Sequence, residues 1–215
     1  MCKDPSMKTN GAATETSVLL FDVGGVLVQL SGVDAMLEWL GGTVSVEELW
    51  RKWLQSVSVR QFETGQIDAD EFSVRVVSEF GLSVDPQQFL ESFIEWPSAL
   101  YPGTLEMLAR IPRSYQRALL SNSNALHWPR VLNEMGLGPA FDRHFVSHLT
   151  GRIKPDLEAF EHVIDSLRCM PDHVLFLDDN PLNVEAAQRL GMHAIRVRGA
   201  SEVQDVLVSL GIIEN

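Results

Sequence analysis

The chain has 215 residues, 45% of them hydrophobic and 21% charged, with a formal net charge of −12. That balance describes a globular protein and excludes a disordered chain, and no apolar run reaches the roughly 20 residues of a membrane span. A surface this acidic repels nucleic acid and anionic lipid, so neither is expected as a partner, and any anionic ligand needs a local positive centre.

Residues 1–16 are polar and small, without the apolar centre of a signal peptide, and read as a flexible N-terminal tail. Cys2 and Cys169 form neither a disulfide framework nor a metal signature. With no export signal, the expected location is the cytoplasm. The stretch from Ser17 to Val28 is β-branched and apolar, broken by Asp22 and two glycines. It predicts a strand buried on both faces, as in a parallel sheet. Residues 30–97 follow with no strand pattern but with repeated helix-start signals: Ser45 with Glu48, Asp68 with Glu71, and Asp85-Pro86 with Gln88. Apolar positions from Leu49 to Phe93 recur there at helical spacing, and four of the five tryptophans fall in this segment. It predicts a small all-helical cap inserted after the first strand. Tyr101-Pro102-Gly103 marks the return to the core. Further strands are predicted at 116–122, 173–179 and 193–197, with helices at 103–111, 126–135, 157–167 and 182–190. The fold class is therefore α/β, a doubly wound parallel sheet, with a core of 17–29 and 98–215 and a cap of 30–97.

Ligands of an open α/β sheet bind at the carboxyl ends of its strands. The first predicted strand runs into Asp22, then Gly24 and Gly25. The second ends in Ser121-Asn122, and another in Asp178-Asp179-Asn180, while Lys154 precedes Pro155 at a loop-to-helix junction. Carboxylates gathered at one place need a cation, and an all-oxygen site suits Mg²⁺, which takes one or two carboxylates plus phosphate oxygens. A carboxylate also attacks phosphorus directly. Each element alone is an ordinary cap or turn signal; their joint placement points to phosphoryl transfer.

The order of these motifs resembles the haloacid dehalogenase superfamily: Leu19-Leu-Phe-Asp-Val-Gly-Gly-Val26, Leu119-Leu-Ser-Asn122, Lys154-Pro-Asp156 and Phe176-Leu-Asp-Asp-Asn-Pro181. The resemblance extends over 18–211. It implies a Mg²⁺-dependent phosphatase of small phosphorylated metabolites that works through an aspartyl-phosphate. Asp22 is then nucleophile and metal ligand, and Gly24 gives its backbone carbonyl to the metal. Ser121, Asn122 and Gly25 bind the phosphoryl group, Lys154 holds nucleophile and phosphate together, and Asp179 with Asp178 completes the metal site. The family usually has a second Asp at position 24 as acid and base; its loss costs on the order of 10²–10⁴-fold. The motifs are also similar to a bacterial subgroup with glycine there, which includes phosphatases of α-glucose 1-phosphate, so sugar phosphates with good leaving groups are the expected substrates. His127 is the candidate substitute acid–base. The cap decides the substrate without a readable code, although Arg51, Arg60, Gln61, Phe62 and Glu63 are candidates to face the site. Two alternatives stand beside this reading: a non-catalytic phosphate binder and, disfavoured by the acidic pair Asp178-Asp179, a metal-independent dehalogenase.

Overall fold

Apolar side chains of alternating parity organise the core. In the computed structural model, which describes residues 16–214, the first strand β1 (Val18–Phe21) is buried along its whole length. Leu19 and Phe21 join one apolar cluster, while Val18 and Leu20 join another on the opposite face. The expected tail, residues 1–16, and Cys2 lie outside the described residues except for Thr16.

After β1 the chain turns tightly at 23–28, where the amides of Leu27 and Val28 donate to the Val23 carbonyl at 2.9 and 2.8 Å. The single predicted strand of 17–28 is thus two pieces, because the Gly24-Gly25 turn interrupts it. The second piece, β2 (Val28–Leu30), leads into five helices: α1 (Gly32–Trp39), α2 (Val46–Gln55), α3 (Val57–Glu63), α4 (Ala69–Phe80) and α5 (Pro86–Ile94). Strand β3 (Pro97–Leu100) then pairs antiparallel with β2, forming a two-stranded ribbon at the base of the helices.

The chain continues through α6 (Thr104–Arg110), β4 (Gln116–Ser121), β5 (Arg143–Val146), α7 (Ser147–Thr150), α8 (Leu157–Leu167), β6 (Val174–Asp178), α9 (Pro181–Arg189), β7 (His193–Arg196) and α10 (Gly199–Ser209). The main sheet is parallel throughout in the order β5-β4-β1-β6-β7. Met107 and Leu108 of α6 and Val203 and Leu207 of α10 cover one face; Phe160 and Val163 of α8 and Val184 and Ala187 of α9 cover the other. Strand β5 carries no clear apolar run, since Arg143 and His144 are exposed at the sheet edge. The helix predicted at 126–135 is reduced to a turn and a short π-helical segment at Arg130–Glu134. Pro129 has no amide to continue a regular ladder.

Local signals set the cap helices. The side chains of Ser45, Asp68 and Asp85 accept from the amides of Glu48, Glu71 and Gln87 at the starts of α2, α4 and α5, each such cap contributing about 1 kcal/mol. The cap has its own aromatic core of Trp53, Phe62, Phe72, Phe89, Phe93 and Trp96, in which Phe62 stacks on Phe72 with centroids 4.2 Å apart. Among the described residues no helix is long and apolar enough to cross a membrane.

Candidate active site

Because β4, β1 and β6 are neighbours and parallel, their carboxyl ends lie side by side. Asp22 follows the last residue of β1, Ser121 ends β4, and Asp178 ends β6 with Asp179 next in chain. The loop between α7 and α8 brings Lys154 to the same end of the sheet, before a cis Pro155. The Asn122 side chain holds this loop. Its amide donates to the Lys154 carbonyl and its oxygen accepts from the Lys154 amide, both at 2.9 Å.

The Lys154 ammonium donates to Asp22 Oδ1 at 2.7 Å and to Asp178 Oδ2 at 2.6 Å. Burial alone would lower the lysine, but the carboxylates of Asp178 and Asp22 outweigh it and hold the group above the usual lysine range. Asp178 is fully buried. It also accepts from the Asn180 amide at 2.8 Å and from the Asn183 side-chain amide at 3.0 Å. Its oxygens are therefore committed, and Asp179 is the member of the pair that lines the cleft. Burial pushes Asp22 up to about 7 against the pull of Lys154, with Asp178 and Asp179 adding to the rise. Burial, then Asp178, also raises Asp179.

The three carboxylates of Asp22, Asp178 and Asp179 have oxygens within 4.8 Å of one another. An all-oxygen donor set of this charge fits a hard divalent cation such as Mg²⁺. Two observations agree with that fit. The Asn183 side-chain oxygen is buried beside this group with no hydrogen-bond partner. A side chain at Gly25 would put its Cβ 2.6 Å from Asp179 Oδ2. Gly25 also has φ +76°, a left-handed conformation that glycine adopts without penalty. Gly24 differs: its backbone is ordinary, and a Cβ there would lie 3.1 Å from the Leu30 side chain. None of the hydrogen bonds in the 23–28 turn uses the Gly24 carbonyl.

The sheet end opens into a cleft of about 890 Å³ roofed by the cap. Its floor includes Asp22, Gly24, Ser121, Asn122, Lys154 and Asp179, and its cap wall includes Val46, Trp50, Trp53, Leu54, Glu63 and Trp96. Positive charge comes from Lys154 with Arg196 and Arg198 at the rim; Arg196 Nε donates to the Asp179 carbonyl at 2.9 Å. The two arginines escaped sequence reasoning, their only signal being basic residues at the end of a predicted strand. Asn183 escaped it too, although it lies only two residues beyond the last motif.

Of the five cap candidates, only Glu63 lines the cleft. Phe62 is in the cap core, Arg60 pairs with Asp156 of the core, Gln61 accepts from Arg75 at 2.7 Å, and Arg51 is exposed. His127, the expected acid–base group, is held at both ring nitrogens. Nε2 lies 2.6 Å from the Phe93 carbonyl and Nδ1 lies 3.2 Å from the Asn124 amide, a pattern that fits a neutral ring protonated on Nε2. Burial lowers it to about 4. This geometry makes His127 a pin between cap and core, with no free nitrogen for proton transfer.

The family model of the haloacid dehalogenase-like hydrolases matches residues 16–191. The chain belongs to that hydrolase family. It is 25% identical over 200 residues to a D-ribitol-5-phosphate phosphatase of Bacteroides thetaiotaomicron, covering 89% of this chain and 97% of the relative. A sesquiterpene phosphatase of Aspergillus oryzae is 29% identical over 184 residues, covering 83% and 88% respectively. The fold is shared with a B. thetaiotaomicron haloacid dehalogenase family enzyme crystallised with magnesium and inorganic phosphate. That superposition has a TM-score of 0.68 at 24% identity and covers 86% of this chain and 95% of the other.

Proposed function

We propose that this hydrolase is a Mg²⁺-dependent phosphatase of small phosphorylated metabolites, with Asp22 as its nucleophile. One observation carries the reading: a buried ammonium bridges Asp22 and Asp178 at the carboxyl ends of adjacent parallel strands, with Asp179 beside them. A dehalogenase has no need of the acidic pair Asp178-Asp179, and the named relatives include phosphatases.

Asp22, the Gly24 carbonyl and Asp179 would hold the cation, which would supply charge to the transferring phosphoryl oxygens. Asp178 orients Lys154 and Asn183. Lys154 keeps the Asp22 carboxylate aimed and has further donor capacity for a phosphoryl oxygen. The Ser121 hydroxyl makes only a 3.5 Å contact with the Asn122 carbonyl, so it is available to the phosphoryl group. Asp22 attacks phosphorus, the ester oxygen departs, and water then hydrolyses the aspartyl-phosphate.

For the alcohol portion, sugar phosphates, including sugar 1-phosphates, follow from the motif resemblance. A second reading comes from the cap wall. Leu30, Val46 and Leu54 are 43%, 46% and 47% exposed where they line the cleft, and Trp50 stands beside them. Apolar surface left open in a cleft suits an ester with a hydrocarbon body, and the similarity to a sesquiterpene phosphatase agrees with it.

The test is phosphate release from p-nitrophenyl phosphate, glucose 1-phosphate, glucose 6-phosphate, ribitol 5-phosphate and farnesyl monophosphate, with and without Mg²⁺, beside Asp22→Asn. Release that requires both Mg²⁺ and Asp22 is expected. The preferred ester then separates the two substrate readings. No release above the Asp22→Asn background on any ester would replace the proposal with a non-catalytic phosphate binder.

A further inference from the structure

We infer that Glu63, carried by the cap, is the proton donor and acceptor that Gly24 cannot be; the inference rests on the phosphatase reading above.

The reaction needs a group that protonates the leaving alkoxide and later deprotonates water. The titratable side chains lining the cleft among the described residues are few. Asp22 is the nucleophile, and Asp179 faces it as a metal ligand. Lys154 is locked between two carboxylates. His127 has both nitrogens engaged. Arginines do not release protons near neutral pH. Glu47 is exposed at the mouth of the cleft. Glu63 remains. Among the described residues no hydrogen bond or ion pair engages its carboxyl group, so that group is available to a ligand.

The local structure explains why Glu63 reaches the core. Ser56 caps the start of α3, accepting from the Val59 amide at 3.1 Å. Phe62 anchors the other end by stacking on Phe72 within the cap. The next residue, about 100° round the helix, turns away from that core and lines the cleft. The segment beyond is pressed onto the sheet domain. Gly65 has φ +72°, and a Cβ there would lie 2.7 Å from the His148 carbonyl of α7. On the same helix Arg60 pairs with Asp156. Two ties to the core, one on each side of Glu63, thus hold it over the cleft.

Its surroundings suit the task. Removal from water pushes the Glu63 carboxyl up to about 7, with Lys154 opposing the rise. The other charged and titratable groups nearby include Asp22, Asp179, Glu47, His127, Arg196 and Arg198 around the cleft, and His148, Arg60 and Asp156 at the docked end of α3. A carboxyl group near 7 is populated in both forms at neutral pH, the condition under which one residue serves as acid and then base. In the first step an Asp22 oxygen bonds to phosphorus, the phosphorus–ester oxygen bond breaks, and protonated Glu63 gives its proton to the departing oxygen, releasing the alcohol. In the second, the Glu63 carboxylate takes a proton from water. The water oxygen bonds to phosphorus, the phosphorus–Asp22 bond breaks, and inorganic phosphate leaves with Glu63 again protonated.

The experiment compares wild type with Glu63→Gln and Glu63→Asp in Mg²⁺, using ribitol 5-phosphate and p-nitrophenyl phosphate. Nitrophenolate departs without a proton, so its kcat/KM should change less than threefold in Glu63→Gln. Its kcat should fall about 100-fold, because water attack still needs the base, and aspartyl-phosphate should accumulate in a rapid quench. On ribitol 5-phosphate both kcat and kcat/KM should fall about 100-fold, with partial recovery in Glu63→Asp. Equal losses in kcat/KM on both esters, or full activity in Glu63→Gln, would overturn the role of Glu63 while leaving the phosphatase intact. If wild type itself shows no Asp22-dependent release, the phosphatase reading fails and the role of Glu63 falls with it. An unfolding midpoint in Glu63→Gln no lower than that of wild type separates a catalytic loss from a folding one, since removing a carboxyl that burial raises does not destabilise the fold.

Discussion

Replacing Asp22 by asparagine should abolish turnover and yet stabilise the metal-free protein. Asparagine keeps an acceptor oxygen for the Lys154 ammonium, now 2.7 Å from Asp22 Oδ1, and removes a charge that burial disfavours. The Asp22 carboxyl rises from 3.8 to about 7 in the folded chain. At about 1.4 kcal/mol per pH unit, that rise sets a ceiling of about 4 kcal/mol. The sign follows from proton binding. Between 3.8 and 7 the folded protein holds a proton that the unfolded chain releases, so wild type loses stability as pH rises through this window and is level above it. Asparagine does not titrate. Its advantage should therefore be small near pH 4 and greatest above pH 7, with about 3 kcal/mol of it developing between pH 5 and 8. Urea unfolding of both proteins in EDTA at those two pH values measures it. Saturating Mg²⁺ should narrow or reverse the order, since a ligand at 100 times its Kd stabilises the folded state by about 2.7 kcal/mol and wild type binds it better. A variant less stable than wild type at pH 8 in EDTA, or an advantage that is the same at both pH values, would refute the account of Asp22 as a charge held at the expense of stability.

Gly25→Ala combines a left-handed backbone with a Cβ 2.6 Å from Asp179 Oδ2. It should displace the Asp179 carboxylate and weaken Mg²⁺ binding at least tenfold by isothermal titration; unaltered Mg²⁺ affinity would remove Asp179 from the metal site. His127 is lowered to about 4, so wild type should lose stability as pH falls from about 6.5 towards 4, the unfolded chain taking up a proton the folded one refuses. About 2 kcal/mol of this lies between pH 7.5 and 5, and His127→Asn should lack that component in urea unfolding. An identical pH slope in both proteins would mean that His127 is not the buried pin described here.

Much of the fold was legible because burial leaves a simple mark on sequence. Strands covered on both faces are apolar along their buried stretch, which made β1, the Ala118–Leu120 part of β4 and the Val174–Leu177 part of β6 visible as runs. The caps of α2 and α4 were visible because Ser45 and Asp68 satisfy backbone amides within three residues. Strand β5 was not visible, since an edge strand with Arg143 and His144 in solvent carries no apolar run. The candidate site was legible to the same degree. Asp22, Ser121, Lys154, Asp178 and Asp179 could be picked out as chemistry placed at predicted strand ends. Their division of labour could not, because Asp178 and Asp179 are adjacent in sequence and differ only in which way each carboxylate faces.

The sequence by itself thus determined the layer architecture, the helical insertion and the residue types gathered at one sheet end, all of them consequences of local propensity and strand-by-strand burial. Only the tertiary structure decided which side chains meet across long separations. Lys154 reaches Asp22 across 132 residues, His127 is consumed in pinning Phe93, and Glu63 alone among the five cap candidates is turned to the cleft. Such outcomes depend on how the cap docks on the sheet, and no pattern within either segment encodes the angle at which two separately packed cores meet.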